Sequence, residues 1–147
     1  MRKKWAIMTF LTLLFCACHS ERNVVFIQFE NVPSRWDVSE KVTFEVDSMR
    51  EEGCYEVLVN ARSNRNFLFK QIILEVRQEW NRQVFVDTVT CEISRDRGVS
   101  MFDGSEKIRN LYLYQGARGK ITISPVMACE IVENLMDVGI EIRKKEE

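Results

Sequence analysis

FLFKQIILEVRQEW, residues 67–80, and QVFVDTVTCEI, residues 83–93, stand on either side of two polar residues, Asn81 and Arg82. In the first run Ile72, Leu74 and Val76 alternate with Ile73, Glu75 and Arg77. A period of two places alternate side chains on opposite faces of a β-strand. Two such runs joined by a two-residue polar connection read as a β-hairpin.

The same period recurs in both directions from that hairpin. KVTFEVD (41–47) sets Val42, Phe44 and Val46 against Lys41, Thr43, Glu45 and Asp47. CYEVLVNAR (54–62) puts Tyr55, Val57, Val59 and Ala61 on one side, and VVFIQFE (24–30) is an apolar strand. NLYLYQG (110–116), KITISPV (120–126) and MDVGIEIRK (136–144) complete about eight strands. The connections are too short for the crossover helices of a parallel sheet. The expected fold is therefore all-β, a single antiparallel β-sandwich or jelly roll spanning residues 24–147. Two segments stand apart. MACEIVENL (127–135) offers Met127, Ile131, Val132 and Leu135 as a helical stripe, so a short helix is expected there. SRDRGVSMFDGSEKIR (94–109), with two glycines and mixed charges, is expected to be a long loop.

Upstream of the strands the chain has a different character. MRKK carries three cationic side chains, and Trp5 to Ala17 carries no charge. Thirteen residues make a helix of roughly 20 Å, short of a hydrocarbon core of about 30 Å. A basic start, a short apolar run and a small residue before a break form a secretory signal. The cysteines at its end give it the pattern of a bacterial lipobox. Cys16 is a poor modified residue because Phe15 would occupy a site that requires a small side chain. Cys18 is the better one: Cys16 and Ala17 are small, and Phe15 takes the apolar place usually held by leucine. Residues 1–17 are thus expected to be removed, Cys18 to carry acyl chains that hold the protein to a membrane, and 18–23 to form a short tether. HSERN after the cysteine offers one acid, Glu21, offset by Arg22, which favours the periplasmic side over the cell surface.

The composition narrows the partners. Without the signal, 18 basic and 22 acidic side chains remain, a net charge of −4. Nucleic-acid binding rests on phosphate neutralisation and is not expected. Cys54, Cys91 and Cys129 are 37 and 38 residues apart, which matches no zinc-ligand spacing. They are either small buried residues or allow one disulfide and one thiol. The single histidine, His19, lies beside the anchor, and no nucleophile elbow, phosphate-binding glycine loop or metalloprotease helix is present. Asp96 and Asp103 share the expected loop, but two carboxylates fall short of the six to eight oxygens calcium takes. Neither cofactor nor metal is expected, and the chain does not read as an enzyme. Trp36, Phe102, Tyr112 and Tyr114 are the candidate binding residues. They could stack sugar rings in a glycan-binding module, or fill the core.

Several segments in order resemble the gliding-motility lipoprotein GldH family of the Bacteroidetes. FENVPSRW (29–36) matches an F-x-x-(I/V)-P turn followed by tryptophan. VTFEV, VLVNARSNRNFLFKQIILEV (57–76), VDTV with Asp87 and Thr88, and GKITIS follow in the family's order. DVGIEIRKKEE resembles its D-V-G-(L/I)-R-(I/V)-E-K close. Two segments depart from the family: RGVSMFDGSEK lacks the G-x-W-x-G-x-G loop, and SPVMACEIVENL lacks an arginine. The resemblance implies a membrane-attached accessory protein that contacts other envelope proteins, and it supplies no catalytic residues.

Overall fold

The computed structural model describes residues 23–95 and 101–146, and every regular element in them is a β-strand. In chain order these are β1 (Val24–Asn31), β2 (Arg35–Asp37), β3 (Val42–Val46), β4 (Gly53–Asn64) and β5 (Gln71–Trp80). Then come β6 (Gln83–Glu92), β7 (Met101–Leu113), β8 (Gly119–Pro125), β9 (Ile131–Glu133) and β10 (Leu135–Lys144). Two four-stranded sheets run β1-β10-β4-β7 and β3-β8-β5-β6, and β2 pairs with β9 in a small ribbon. All pairings are antiparallel. Counting only the eight long strands, the sheets read 1-8-3-6 and 2-7-4-5, the order of a jelly roll built from two Greek keys.

The hairpin at the centre of the sequence forms as expected. β5 and β6 pair from Gln71↔Glu92 to Trp80↔Gln83, and Asn81 turns the chain with φ +52°, a left-handed conformation that asparagine tolerates. The expected faces hold as well. Tyr55, Val57, Val59 and Ala61 are buried, as are Ile72, Leu74 and Val76, and with Ile121, Ile123, Ile140 and Ile142 they fill the space between the sheets.

Three expectations change. Residues 127–135 form no helix: Val132 pairs with Trp36, and both are buried in the β2–β9 ribbon. Nine residues are too few to hold a helix without packing, and β2 offers a backbone partner instead. Residues 101–109 are not loop but the first part of β7, which pairs with β4 from Gly53↔Leu113 to Asn64↔Met101. Without β7, that edge of the twelve-residue β4 would lack hydrogen-bond partners. Gly104, taken as a loop glycine, sits under β6, where a Cβ would lie 2.3 Å from the Glu92 carbonyl oxygen. Asp96 falls outside the described residues. Finally, residues 67–70 precede β5 rather than belonging to it.

The sandwich closes unequally on its two sides. On one, β6 and β7 are linked by a Ser94–Asp103 bridge and by a two-pronged ion pair. Arg109 Nε and Nη2 each donate to an Asp87 oxygen at 2.7 Å, while the guanidinium covers the Phe85 ring at 4.3 Å. On the other side, a groove of about 540 Å³ opens between the start of β1 and residues 46–51. The antiparallel registers also define two ends. One gathers Asn23, where the described chain begins, with residues 47–52, Asn81–Arg82, 114–118 and 145–146. The opposite end, the apex, gathers residues 32–34, 65–70, 93–95 and 126–134.

Candidate functional site

The apex carries the most exposed apolar side chain on the described surface, Leu68, at 82%. Its position follows from the loop that holds it. Asn64 accepts the Phe67 amide with its carbonyl and the Asn66 amide with its side-chain oxygen, which turns the chain after β4. Phe67 then drops into the core, and its ring meets Phe69 edge-on at 5.6 Å. Arg95 Nη2 donates to the carbonyl oxygens of Phe67 and Phe69 at 2.7 and 2.8 Å, fixing the loop from beneath. Leu68, between the two clamped residues, is left pointing outward.

Beside it lies a depression of about 470 Å³ lined by Phe69, Lys70, Gln71, Ile73, Met127, Ala128 and Cys129. The Ile73 amide donates to Met127 Sδ at 3.5 Å and the Val126 amide to the Ile73 carbonyl at 2.8 Å, which seats the 126–129 segment on β5. Leu68, Phe69 and Val126 are exposed around a shallow apolar floor containing a flexible methionine. That chemistry suits contact with another protein.

The four aromatic candidates do not form one site. Trp36 is fully buried in the β2–β9 ribbon and is a core residue, so it presents no surface to a ligand. A three-residue strand is too short for its sequence to show which face turns inward. Phe102 is half-buried at the apex, 5.9 Å from the Arg95 guanidinium. Tyr112 and Tyr114 are at the other end, 50% and 66% exposed, with ring centroids 5.3 Å apart and planes at 76°. Cys54 is exposed, Cys91 buried and Cys129 between the two, and all three are thiols. Burial pushes the Cys91 thiol up from 9.0 to about 12, which keeps it protonated and unreactive. Among the described residues no group of three His, Cys, Asp or Glu side chains is placed to hold a metal ion. Cys18 lies outside the described residues. Leu68 and Val126 went unnoticed in the sequence because each sits in an apolar run that reads as continuous strand.

A sequence model described as GldH lipoprotein matches residues 24–142. The chain belongs to the GldH lipoprotein family. It is 26% identical over 158 residues to the gliding motility lipoprotein GldH of Flavobacterium johnsoniae, covering 98% of both chains. With a gliding motility lipoprotein GldH homolog of Christiangramia forsetii it shares 21% identity over 164 residues, 99% of each. Among solved structures, part of a family GH115 4-O-methyl-α-glucuronidase shares the fold, with a TM-score of 0.50 and 12% identity. The match covers 86% of this chain and 18% of that one.

The stretches that resemble the GldH family converge in space. Phe29 of FENVPSRW lies against Gly139 of DVGIEIRK, where a Cβ would come within 2.6 Å of its ring. Arg62 of VNARSN stacks over Phe29 at 4.3 Å and donates to Asp137 of the same DVG segment at 2.7 Å. That hydrogen bond, and the coulombic pull of Asp137 and Asp103, raise the Arg62 pKa. Phe29, Arg62, Asp137 and Gly139 thus lock β1, β10 and β4 together on the outer face. These four residues of the GldH-like motifs belong to the scaffold, while Leu68 and Phe69, within the 57–76 stretch, belong to the apex surface.

Proposed function

We propose that the protein is a non-catalytic envelope lipoprotein, acylated at Cys18 and held at a membrane on its periplasmic side. It acts by docking its apex against another envelope protein of a gliding-type machinery. Membership of the GldH lipoprotein family supports the anchor and the motility context. The observation that carries the docking surface is Leu68, clamped outward beside an apolar depression at the end opposite Asn23. A protein tethered by one end meets partners most readily with the other.

Recovery of the native lipoprotein from membranes in mild detergent tests the reading. A partner protein co-purifying with wild type and lost with Leu68→Asp supports it. Equal recovery with the variant removes the apex from the interface, and recovery of no partner removes the reading. Protease treatment of intact cells reports the membrane face: digestion without permeabilisation places the domain outside. A second reading, glycan binding, rests on Tyr112 and Tyr114, since Trp36 is core and Phe102 lies at the opposite end. Their rings, at 76°, offer no shared flat platform for a sugar. Retention of wild type, and not Tyr112→Ser/Tyr114→Ser, on an immobilised glycan would favour it.

A further inference from the structure

We infer that Tyr112 and Tyr114 are a membrane-contacting pair that seats the domain on the lipid surface to which it is anchored. The inference rests on acylation of Cys18. It begins with reach. Cys18 and Asn23 are five steps apart along the chain, with four residues between them, and a fully extended chain spans at most about 3.6 Å per step, so Asn23 lies no more than roughly 18 Å from the headgroups. The end of the sandwich that carries Asn23 is therefore the end held against the bilayer.

That end is where the tyrosines lie. Asn23 and Tyr112 line the same depression of about 570 Å³, together with Cys54, Lys144 and Lys145. Tyr114 extends from the same corner, two residues beyond Tyr112 and just after β7 ends at Leu113. Each tyrosine has an apolar ring with a polar tip, which suits the boundary between acyl chains and headgroups. The two rings pack edge to face and are oriented by each other, while both remain half or more exposed.

The charges nearby argue for seating by aromatic rings rather than by electrostatic attraction. Arg50, Arg82, Arg118, Lys144 and Lys145 are interspersed with Asp47, Glu51, Glu52, Glu79 and Glu146. Lys144 is hydrogen-bonded to Glu51, which lowers the Glu51 pKa and consumes one cation of the set. A mixed surface of this kind gives little net attraction to anionic lipid. The contact should accordingly be insensitive to salt.

The test uses the full acylated lipoprotein in phosphatidylethanolamine–phosphatidylglycerol vesicles, with and without lipids brominated near the headgroup. Tyr114→Trp places a quenchable indole at the proposed contact, and Leu68→Trp places one at the apex. The added emission of Tyr114→Trp should fall at least twofold in brominated vesicles, at both low and high salt, and that of Leu68→Trp should not change. Acylated protein that sediments with the vesicles yet shows no quenching of Tyr114→Trp overturns the seating while leaving the anchor intact. Equal quenching of both variants also overturns it, because the domain then has no preferred face. Absence of the acyl mass on Cys18 overturns the anchor and the seating together.

Discussion

Replacing Gly119, buried at the start of β8, by alanine should destabilise the domain although it adds a single methyl group. Gly119 pairs with Trp80 across β5 and β8, and the indole lies flat over it. A methyl on Gly119 would lie 2.5, 2.6 and 2.7 Å from Cζ3, Cη2 and Cε3 of that ring. The ring is rigid, so it must shift by about 1 Å to restore ordinary contact, and overpacking of this kind costs roughly 1–3 kcal/mol. Trp80 is buried, and its Nε1 donates to Gln78 Oε1 at 3.1 Å. Moving the ring loses that bond, worth about 0.5–1.5 kcal/mol, within a core where Gln78 Nε2 already lacks a partner among the described residues. Alanine recovers some 0.4–1 kcal/mol by restricting the unfolded chain. The net loss is roughly 1.5–3 kcal/mol. With a urea m-value of about 1–3 kcal/mol/M, the unfolding midpoint should fall by about 0.5–3 M. A double-mutant cycle isolates the cause: in a Trp80→Leu background Gly119→Ala should cost under about 0.5 kcal/mol. An unchanged midpoint in the single variant, or an equal loss in both backgrounds, would refute the stacking argument.

Other outcomes follow from the same structure. Ser63 is buried and its hydroxyl has no hydrogen-bond partner among the described residues, so Ser63→Ala should be neutral or stabilising by up to about 1 kcal/mol in urea unfolding. Asp87→Asn breaks the charged pair with Arg109 that closes β6 on β7. Because both groups are partly exposed, the loss should be about 1–2 kcal/mol, with faster amide exchange along β6. For the thiols, Cys54 should react with an aromatic disulfide reagent in the folded protein and Cys91 only after unfolding. The Cys91 pKa is raised on folding, so its contribution is fully present below pH 9.0 and is lost as pH rises towards about 12. Stability should therefore fall across that window, with a shallower slope in Cys91→Ala.

What the sequence disclosed depended on how far a signal extends along the chain. Period-two patterning over five or more residues revealed the main strands, their inward faces and the β5–β6 hairpin, because burial on one side alone writes that pattern. Strand order was not legible, since β1 beside β10 and β4 beside β7 are pairings between distant segments. β2 and β9 are three residues each, too short to show a period, which is why Trp36 read as a surface candidate. The first half of β7 was hidden because Asp103, Ser105, Glu106 and Lys107 are polar on both faces. The apex was hidden for the opposite reason: Phe67, Leu68 and Phe69 are all apolar and show no alternation, and the Arg95 clamp on Phe67 and Phe69 holds the loop from which Leu68 points outward. The lipobox pattern around Cys18 is local in the sequence, whereas the nearness of Tyr112 to Asn23 needed the fold.

β1 is the first strand of the described chain, and among the described residues β10 is its one neighbouring strand in the sheet. It runs from the Asn23 end towards the apex, antiparallel to β10, with six residue pairs in continuous register from Phe26↔Ile142 to Asn31↔Asp137 and Val24↔Arg143 beyond a register shift. The proposed anchor at Cys18 and partner at the apex would direct a pull along this strand rather than across it. Its hydrogen bonds must then slide together, sharing the load, instead of parting one after another like a zipper. The Phe29–Gly139 contact acts as a detent near the far end of that slide. A tether joined to the free end of a hairpin turn would give way far more easily; with the proposed anchor, β1 would act as a mechanical clamp.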